Sequence, residues 1–170
     1  MACLINAGIT RDCGFSFGGL QKIYLANKED VSAVDHDGTT GEITGVTMTT
    51  GATFYEYEFE PQTGQALQEL TVGTVSRFVN QTLNLSLAGM TQAKKSALED
   101  LANGDLVAIY QDQAGVYWFY GEKGRGLRAV TLNPDSGTAD ADDNLVAISL
   151  AGGNTGYADT VESSVVAGLI

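Results

Sequence analysis

Apolar and polar residues alternate with a period of two along much of this chain, and that pattern predicts strands. Val79, Gln81, Leu83, Leu85 and Leu87 interleave with Asn80, Thr82, Asn84 and Ser86, so Ser76–Leu87 reads as a strand with one buried face. Phe54–Glu60 reads as the clearest strand, with Tyr55, Tyr57 and Phe59 on one face and Glu56, Glu58 and Glu60 on the other. Shorter strands are predicted at Lys22–Ala26, Glu42–Thr49 and Gln65–Val72. Leu106–Gln111 and Val116–Tyr120 flank the turn Asp112-Gln-Ala-Gly115 and predict a hairpin. Leu127–Leu132 and Asn144–Leu150 read as a further pair, and Tyr157–Ile170 as a last strand ending in an apolar arm. One segment changes period. Thr91 is a good N-cap, Ala93, Ala97, Leu98, Leu101 and Ala102 form one helical stripe, and Asn103-Gly104 supplies a stop. The expected fold is mainly β: an antiparallel β-sandwich or barrel-like domain with one flanking α-helix (about Thr91–Asn103) and extended loops or arms.

Composition agrees with that class. At 170 residues and 17.8 kDa the chain is expected to form a single domain, 1–170. Hydrophobic residues at 44% against 18% charged exclude a disordered chain, and 21 Gly with only 2 Pro suit turns between short strands. The first residues carry no basic stretch ahead of a long apolar run, and no segment approaches the ~20 apolar residues of a membrane span. Assembly in a cytosol, with no membrane partner, is therefore expected. Cys3 and Cys13 then read as free thiols, and the sequons at Asn80 and Asn84 carry no meaning. Two cysteines and the single histidine, His36, fall short of a zinc ligand set, so neither a metal nor a cofactor is expected.

The net charge of −12 excludes a surface that binds nucleic acid all over, and its distribution says more. Between Lys28 and Arg77 there are acids but no Lys or Arg, and the same holds after Arg128. Bases gather at Lys94-Lys95 and at Lys123, Arg125 and Arg128. Opposite charge on separate surfaces favours heterologous, head-to-tail association, although an acidic face can also serve solubility alone. Motifs for chemistry are weak. His36 lies in a loop-like Asp35-His-Asp-Gly-Thr-Thr-Gly41 stretch, and no Gly-x-Ser-x-Gly accompanies it. The same loop departs from the calcium pattern, and Asp140-Ala-Asp-Asp-Asn144 reads as an acidic turn before it reads as an oxygen-ligand site. Glu56 and Glu58 share a face, but a glycosidase pair normally comes from different strands. Gly121-Glu-Lys-Gly-Arg-Gly126 opens no predicted helix, so it does not read as a phosphate cradle. Trp118 in Val116-Tyr-Trp-Phe-Tyr120 suits a core role before a sugar platform. No enzyme is expected.

Ala2-Cys-Leu-Ile-Asn-Ala-Gly-Ile9, Asp12-Cys13 and Gly18-Gly-Leu-Gln-Lys-Ile-Tyr-Leu25 resemble the N-terminus of tail structural proteins in phages of Bacteroidetes-type hosts. The Tyr55-Glu-Tyr-Glu58 run, Val116-Tyr-Trp-Phe-Tyr-Gly121, Ser136-Gly-Thr-Ala139, Asp143-Asn144 and Ala147-Ile-Ser-Leu-Ala-Gly152 extend the similarity over most of the chain. The resemblance is to phage tail tube proteins. It implies a β-sandwich with one flanking helix, six copies to a ring, and rings stacked into a hollow, acidic-lined tube that conducts DNA without binding it specifically. On that basis Glu56, Glu58 and Glu60 are expected to face the lumen. Lys123, Arg125 and Arg128 are expected at contacts between subunits. The segments at about 1–20 and 157–170 are expected to be ordered by neighbouring subunits. Partners would be further copies and other tail proteins, such as a tape measure, sheath or terminator, and the location would be the virion tail. The long stacking hairpin that the resemblance implies is sought at Asn27–Gly41, around Thr50-Gly-Ala52 or at Glu60–Gln65. A head–tail adaptor, a capsid decoration protein and a carbohydrate-binding β-sandwich module built on Trp118 are the alternatives.

Overall fold

The computed structural model describes residues 8–9, 17–139 and 142–170. Cys3 and Cys13, Asp140, and most of the N-terminal segment 1–20 lie outside the described residues. The fold is a two-sheet β-sandwich of eleven strands with one long helix. The first sheet has seven strands in the order β2-β3-β11-β8-β7-β1-β4. They are β1 (Leu20–Asn27), β2 (Val31–His36), β3 (Ile43–Met48), β4 (Tyr55–Glu56), β7 (Leu106–Asp112), β8 (Tyr117–Tyr120) and β11 (Asp159–Val161). The second has four, β5 (Gln65–Val72), β6 (Arg77–Ala88), β10 (Leu145–Asn154) and β9 (Arg128–Asp135), in that order. Every pairing is antiparallel except the single β3–β11 bridge, Ile43 with Val161.

The alternation in β6 is reproduced residue for residue: Val79, Gln81, Leu83, Leu85 and Leu87 are buried and their neighbours are not. Leu83, Leu85 and Leu87 meet Leu20, Ile23 and Leu25 of β1, and Leu106, Ala108 and Tyr110 of β7, across the space between the sheets. The helix α1 (Gln92–Asn103) closes one side of that core with Leu98 and Leu101. Its boundaries follow from its ends: the Thr91 hydroxyl accepts from the Lys94 amide, and Gly104 stops the chain in extended geometry. Ala93 and Ala102, also on the expected apolar stripe, are exposed.

The seven-stranded sheet has a second buried face. Tyr24, Ala26, Val107, Ile109 and Phe119 point away from the main core and pack with Phe54, Ile43, Val161, Val166 and Leu169. That is why Leu106–Tyr110 is buried without interruption and shows no alternation. The C-terminal segment, expected to be a strand and arm ordered by neighbouring subunits, instead forms this cover on its own chain. After β11 it turns into the short helix α2 (Ser163–Ala167), and the Leu169 carbonyl accepts from the Phe54 amide and the Thr53 hydroxyl.

Two further expectations change. Phe54–Glu60 is not one strand, because only Tyr55–Glu56 has strand pairing. The chain here crosses from the edge of one sheet to the other: the Tyr57 amide donates to Ile23 of β1 and the Glu60 amide to Ser86 of β6. A segment that pairs briefly with each sheet cannot hold a regular ladder, yet it keeps its alternation. Tyr57 and Phe59 pack on the core while Glu58 is exposed. Tyr55, placed on the apolar face by the period, is exposed. Residues 27–41, read as a loop, contain a 3-10 turn (Lys28–Asp30) and β2, which pairs with β3.

Candidate assembly surfaces and side-chain clusters

Strand register sorts the surface features by the end of the sandwich. Val72 pairs with Arg77, Val79 with Asn154, Asn154 with Gly124, and Leu106 with Leu127. The β5–β6 turn (73–76), the 121–126 turn, Asp105 and Arg128 therefore share one end. Asp135 pairs with Leu145 and Leu145 with Ala88, which places the 133–144 connection at the other end, with the Glu60–Gln65 crossing and the β7–β8 turn. Arg77, Lys123, Arg125 and Arg128 fall at the first end together with Asp105 and Glu122; Glu60, Asp112, Asp135, Asp142 and Asp143 fall at the second, where Lys94 donates to the Gly89 carbonyl. The first end thus mixes bases with acids that pair two of them, and the second end carries more acids than bases.

Two of the three expected contact residues are engaged within the chain. Lys123 Nζ lies 2.6 Å from Asp159 and donates to the Tyr157 carbonyl at 3.2 Å. Arg128 forms a two-pronged pair with Asp105, Nη2 to Oδ2 at 3.0 Å, and the guanidinium holds the Asp105 carboxyl below its usual range. Arg125 is exposed and forms no ion pair among the described residues. Of the expected lumen residues, Glu56 sits 3.5 Å from Lys22 Nζ, Glu58 is exposed, and Glu60 is half-buried where the crossing reaches β6. Glu56 and Glu58 border a groove of about 310 Å³ that also takes in Lys94 and Leu98 of α1.

The β5–β6 hairpin carries a feature that the sequence reading passed over. Leu70 and Val72 lie opposite Val79 and Arg77, so they continue the core-facing side of β5. Val79 is 2% exposed, but Leu70 is 50% and Val72 65% exposed, because the hairpin runs on past the body of the sandwich. Val75 at its tip is 98% exposed, and Phe78 is 42% exposed on the outer side. The signal was present in Leu70-Thr-Val-Gly-Thr-Val-Ser-Arg-Phe78, whose apolar residues continue on both sides of the turn.

At the opposite end a cleft of about 940 Å³ opens between β5 and the β7–β8 hairpin. It is lined by Trp118, Tyr110, Asp112, Gln62, Gln65 and Gln68, among others. The Trp118 indole donates to Asp112 at 3.1 Å, which fixes the ring. Gln68 Oε1 accepts from the Ala158 amide at 2.7 Å, and Tyr110 stacks edge-on against Tyr120 at 4.8 Å. Burial drives the Tyr110 hydroxyl far above the usual tyrosine range, so it stays protonated.

The glycine-rich 121–126 turn proves to be a packing device. A Cβ on Gly124 would stand 2.3 Å from the Gly153 carbonyl oxygen, and one on Gly126 would stand 2.8 Å from that of Leu106. Gly121 donates its amide to the buried side chain of Gln81 at 2.8 Å. The acidic turn also serves itself: Asp142 accepts from the Thr138 and Ala139 amides, which lower its carboxyl below the usual range. His36, expected in a loop, ends β2 and meets Glu122 and Asp159. One ligand atom of each of the three lies within 4.8 Å of the others, a spacing that could hold a metal ion. The ring turns a different nitrogen to each carboxylate, and Asp159 is already held by the Lys123 ammonium.

Comparison with protein-family models, curated proteins and solved structures finds no match.

Proposed function

We propose that this chain is a non-enzymatic, self-assembling structural subunit of a phage virion, a tail tube protein whose copies form hexameric rings stacked into a DNA-conducting tube. The observation that carries the reading is the β5–β6 hairpin, whose Leu70, Val72 and Val75 extend a core-type face that no other described residue covers. A sandwich that leaves such a face open at an end of mixed charge, with an excess of acids at the opposite end, suits head-to-tail stacking of identical copies. In this arrangement Arg125 reaches acids of a neighbour, while Lys123 and Arg128 keep their own carboxylates at the contact rim. Glu56, Glu58 and Glu60 line the lumen, where like charge keeps the phosphate backbone from adhering. Tape measure, sheath and terminator proteins are the further partners, and the tail of the virion is the location.

The test is negative-stain microscopy and sedimentation of concentrated protein at low salt. Rings or hollow filaments are expected, and they should be lost in Leu70→Asp/Val72→Asp/Val75→Asp with the monomer's circular dichroism unchanged. Protein that stays monomeric throughout, and is absent from purified virions, would overturn the reading. A second reading, a carbohydrate-binding module, draws on the cleft beside Trp118, which offers an aromatic ring, three glutamines and no cation. It predicts discrete monomers whose single tryptophan changes emission on titration with neutral hexasaccharides.

A further inference from the structure

Three side chains from separate parts of the chain converge beside the β2–β3 hairpin. His36 ends β2, Glu122 belongs to the 121–126 turn, and Asp159 opens β11. One ligand atom from each lies within 4.8 Å of the other two. Their side chains are only 31%, 20% and 24% exposed, so the fold partly shelters all three.

The tautomer of the ring sets this group apart from a simple ion pair. His36 Nδ1 is hydrogen-bonded to the Gly41 carbonyl oxygen at 3.4 Å. A carbonyl oxygen only accepts, so Nδ1 carries the hydrogen, and in the neutral ring Nε2 is a lone pair. That lone pair faces the Glu122 carboxylate, Nε2 to Oε1 at 3.3 Å. Two acceptors this close need a cation between them. Nitrogen and oxygen donors each about 2.1 Å from one tetrahedral ion stand about 3.4 Å apart, which matches this spacing. A backbone carbonyl on the far nitrogen is also a usual partner of a metal-bound imidazole.

Asp159 brings the third donor. Lys123 Nζ holds its Oδ2 at 2.6 Å, which orients the carboxylate and leaves Oδ1 for an ion. With a neutral imidazole, Glu122, Asp159 and Lys123 sum to one negative charge, and Asp35, Asp37 and Glu42 on the hairpin add to it. Lys28 lies behind the turn, donating to the Gly121 and Glu122 carbonyls. Two cysteines and one histidine fall short of a zinc site made of four protein ligands, but three protein donors with water in the fourth position form the other zinc arrangement.

We propose that His36 Nε2, Glu122 and Asp159 bind one divalent transition-metal ion of the zinc type, and that the ion staples the β2–β3 hairpin to the body. Imidazole among the donors favours such an ion over Mg2+ or Ca2+. The hairpin is otherwise tied to β11 by the Ile43–Val161 bridge and the Glu162 amide on the Ile43 carbonyl. The site does not depend on the assembly reading and belongs to the isolated chain.

Calorimetric titration with Zn2+ of the tag-free full chain tests it, in a Cys3→Ser/Cys13→Ser background so that no thiol takes the metal. One ion per chain is expected, not displaced by an equal concentration of Mg2+, and binding should weaken by about tenfold or more in His36→Asn and in Glu122→Gln. Without those two ligand substitutions, Zn2+ should shift the Nε2 resonance of the single imidazole, leave Nδ1 protonated, and slow amide exchange in residues 31–36 and 43–48 but not in β6. These readings stand even if a ligand variant folds poorly. Absence of one-to-one binding, binding that survives in His36→Asn, or Zn2+ on Nδ1 would overturn the site.

Discussion

Gly152 and Gly153 are neighbours in β10 with opposite surroundings, and replacing each by alanine isolates the close approach of the two sheets. A Cβ on Gly152 would stand 2.0 Å from the Gly126 carbonyl oxygen and 3.0 Å from its carbon, both backbone atoms. Ordinary contact begins near 3.4 Å, so the 121–126 turn must retreat by about 1.4 Å. That turn is fixed by the paired Leu106–Leu127 hydrogen bonds, at 2.8 and 2.7 Å, and by the Gly121 amide on Gln81. Overpacking costs about 1–3 kcal/mol, and loosening a buried hydrogen bond adds about 1–3 kcal/mol, so Gly152→Ala should destabilise by about 2–6 kcal/mol. At roughly 2–4 °C per kcal/mol for a chain of this size, Tm should fall by about 4–24 °C. On Gly153 the new Cβ meets only Phe78 Cδ2, at 3.5 Å, and the substitution should change stability by less than about 1 kcal/mol. Urea unfolding of both variants, followed by the fluorescence of Trp118, measures the difference. If Gly152→Ala unfolds within about 0.5 kcal/mol of Gly153→Ala, the turn is not held as tightly as the geometry requires.

Gln81→Leu keeps the volume of a buried strand residue but leaves the Gly121 amide without its acceptor; unfolding by urea should show a loss of about 1–3 kcal/mol with an unchanged m-value. Asp142 has its carboxyl lowered by two backbone amides, so its contribution to the 137–142 turn is present above the ordinary carboxylate pKa and is lost as pH falls through the lower folded value. Carboxyl-carbon NMR should place its midpoint below the value the same residue shows in urea, and equal midpoints would contradict the capping geometry.

The elements with one buried face were legible because their chemistry is local. β6 alternates strictly and α1 carries its own cap, so both emerge where the pattern puts them. What escaped depends on contacts distant in sequence. Residues 54–60 alternate as a strand would, yet their amides bond to β1 and β6 in turn, and no local property of Tyr55–Glu60 encodes that crossing. The cover over the outer face of the larger sheet is formed by Phe54, Val166 and Leu169, and so a tail that reads as an arm is part of the core. The glycines at 121–126 illustrate the same point: Gly-x-Gly spacing suggests a ligand, while the space they leave is filled by β10 and by Leu106.

At the exposed hairpin local pattern and tertiary surroundings disagree, and no other described residue resolves the disagreement. Leu70 and Val72 obey the alternation that turns the half-buried Ala66 and Gln68 toward the core further down the same strand. Exposed β-hairpin ends in monomers are normally short, charged or polar, since an open strand edge with apolar side chains invites pairing with other chains. Here the tip carries Val75 and one base, Arg77, and the nearest acid on β5, Glu69, lies on the opposite side of the strand from Leu70 and Val72. Burying these three aliphatic side chains in an assembly would contribute about 1.5–3 kcal/mol each at most, enough to make stacking sensitive to a single Asp at Val72. The hairpin, more than the net charge, is therefore the feature on which the proposed association with further copies rests.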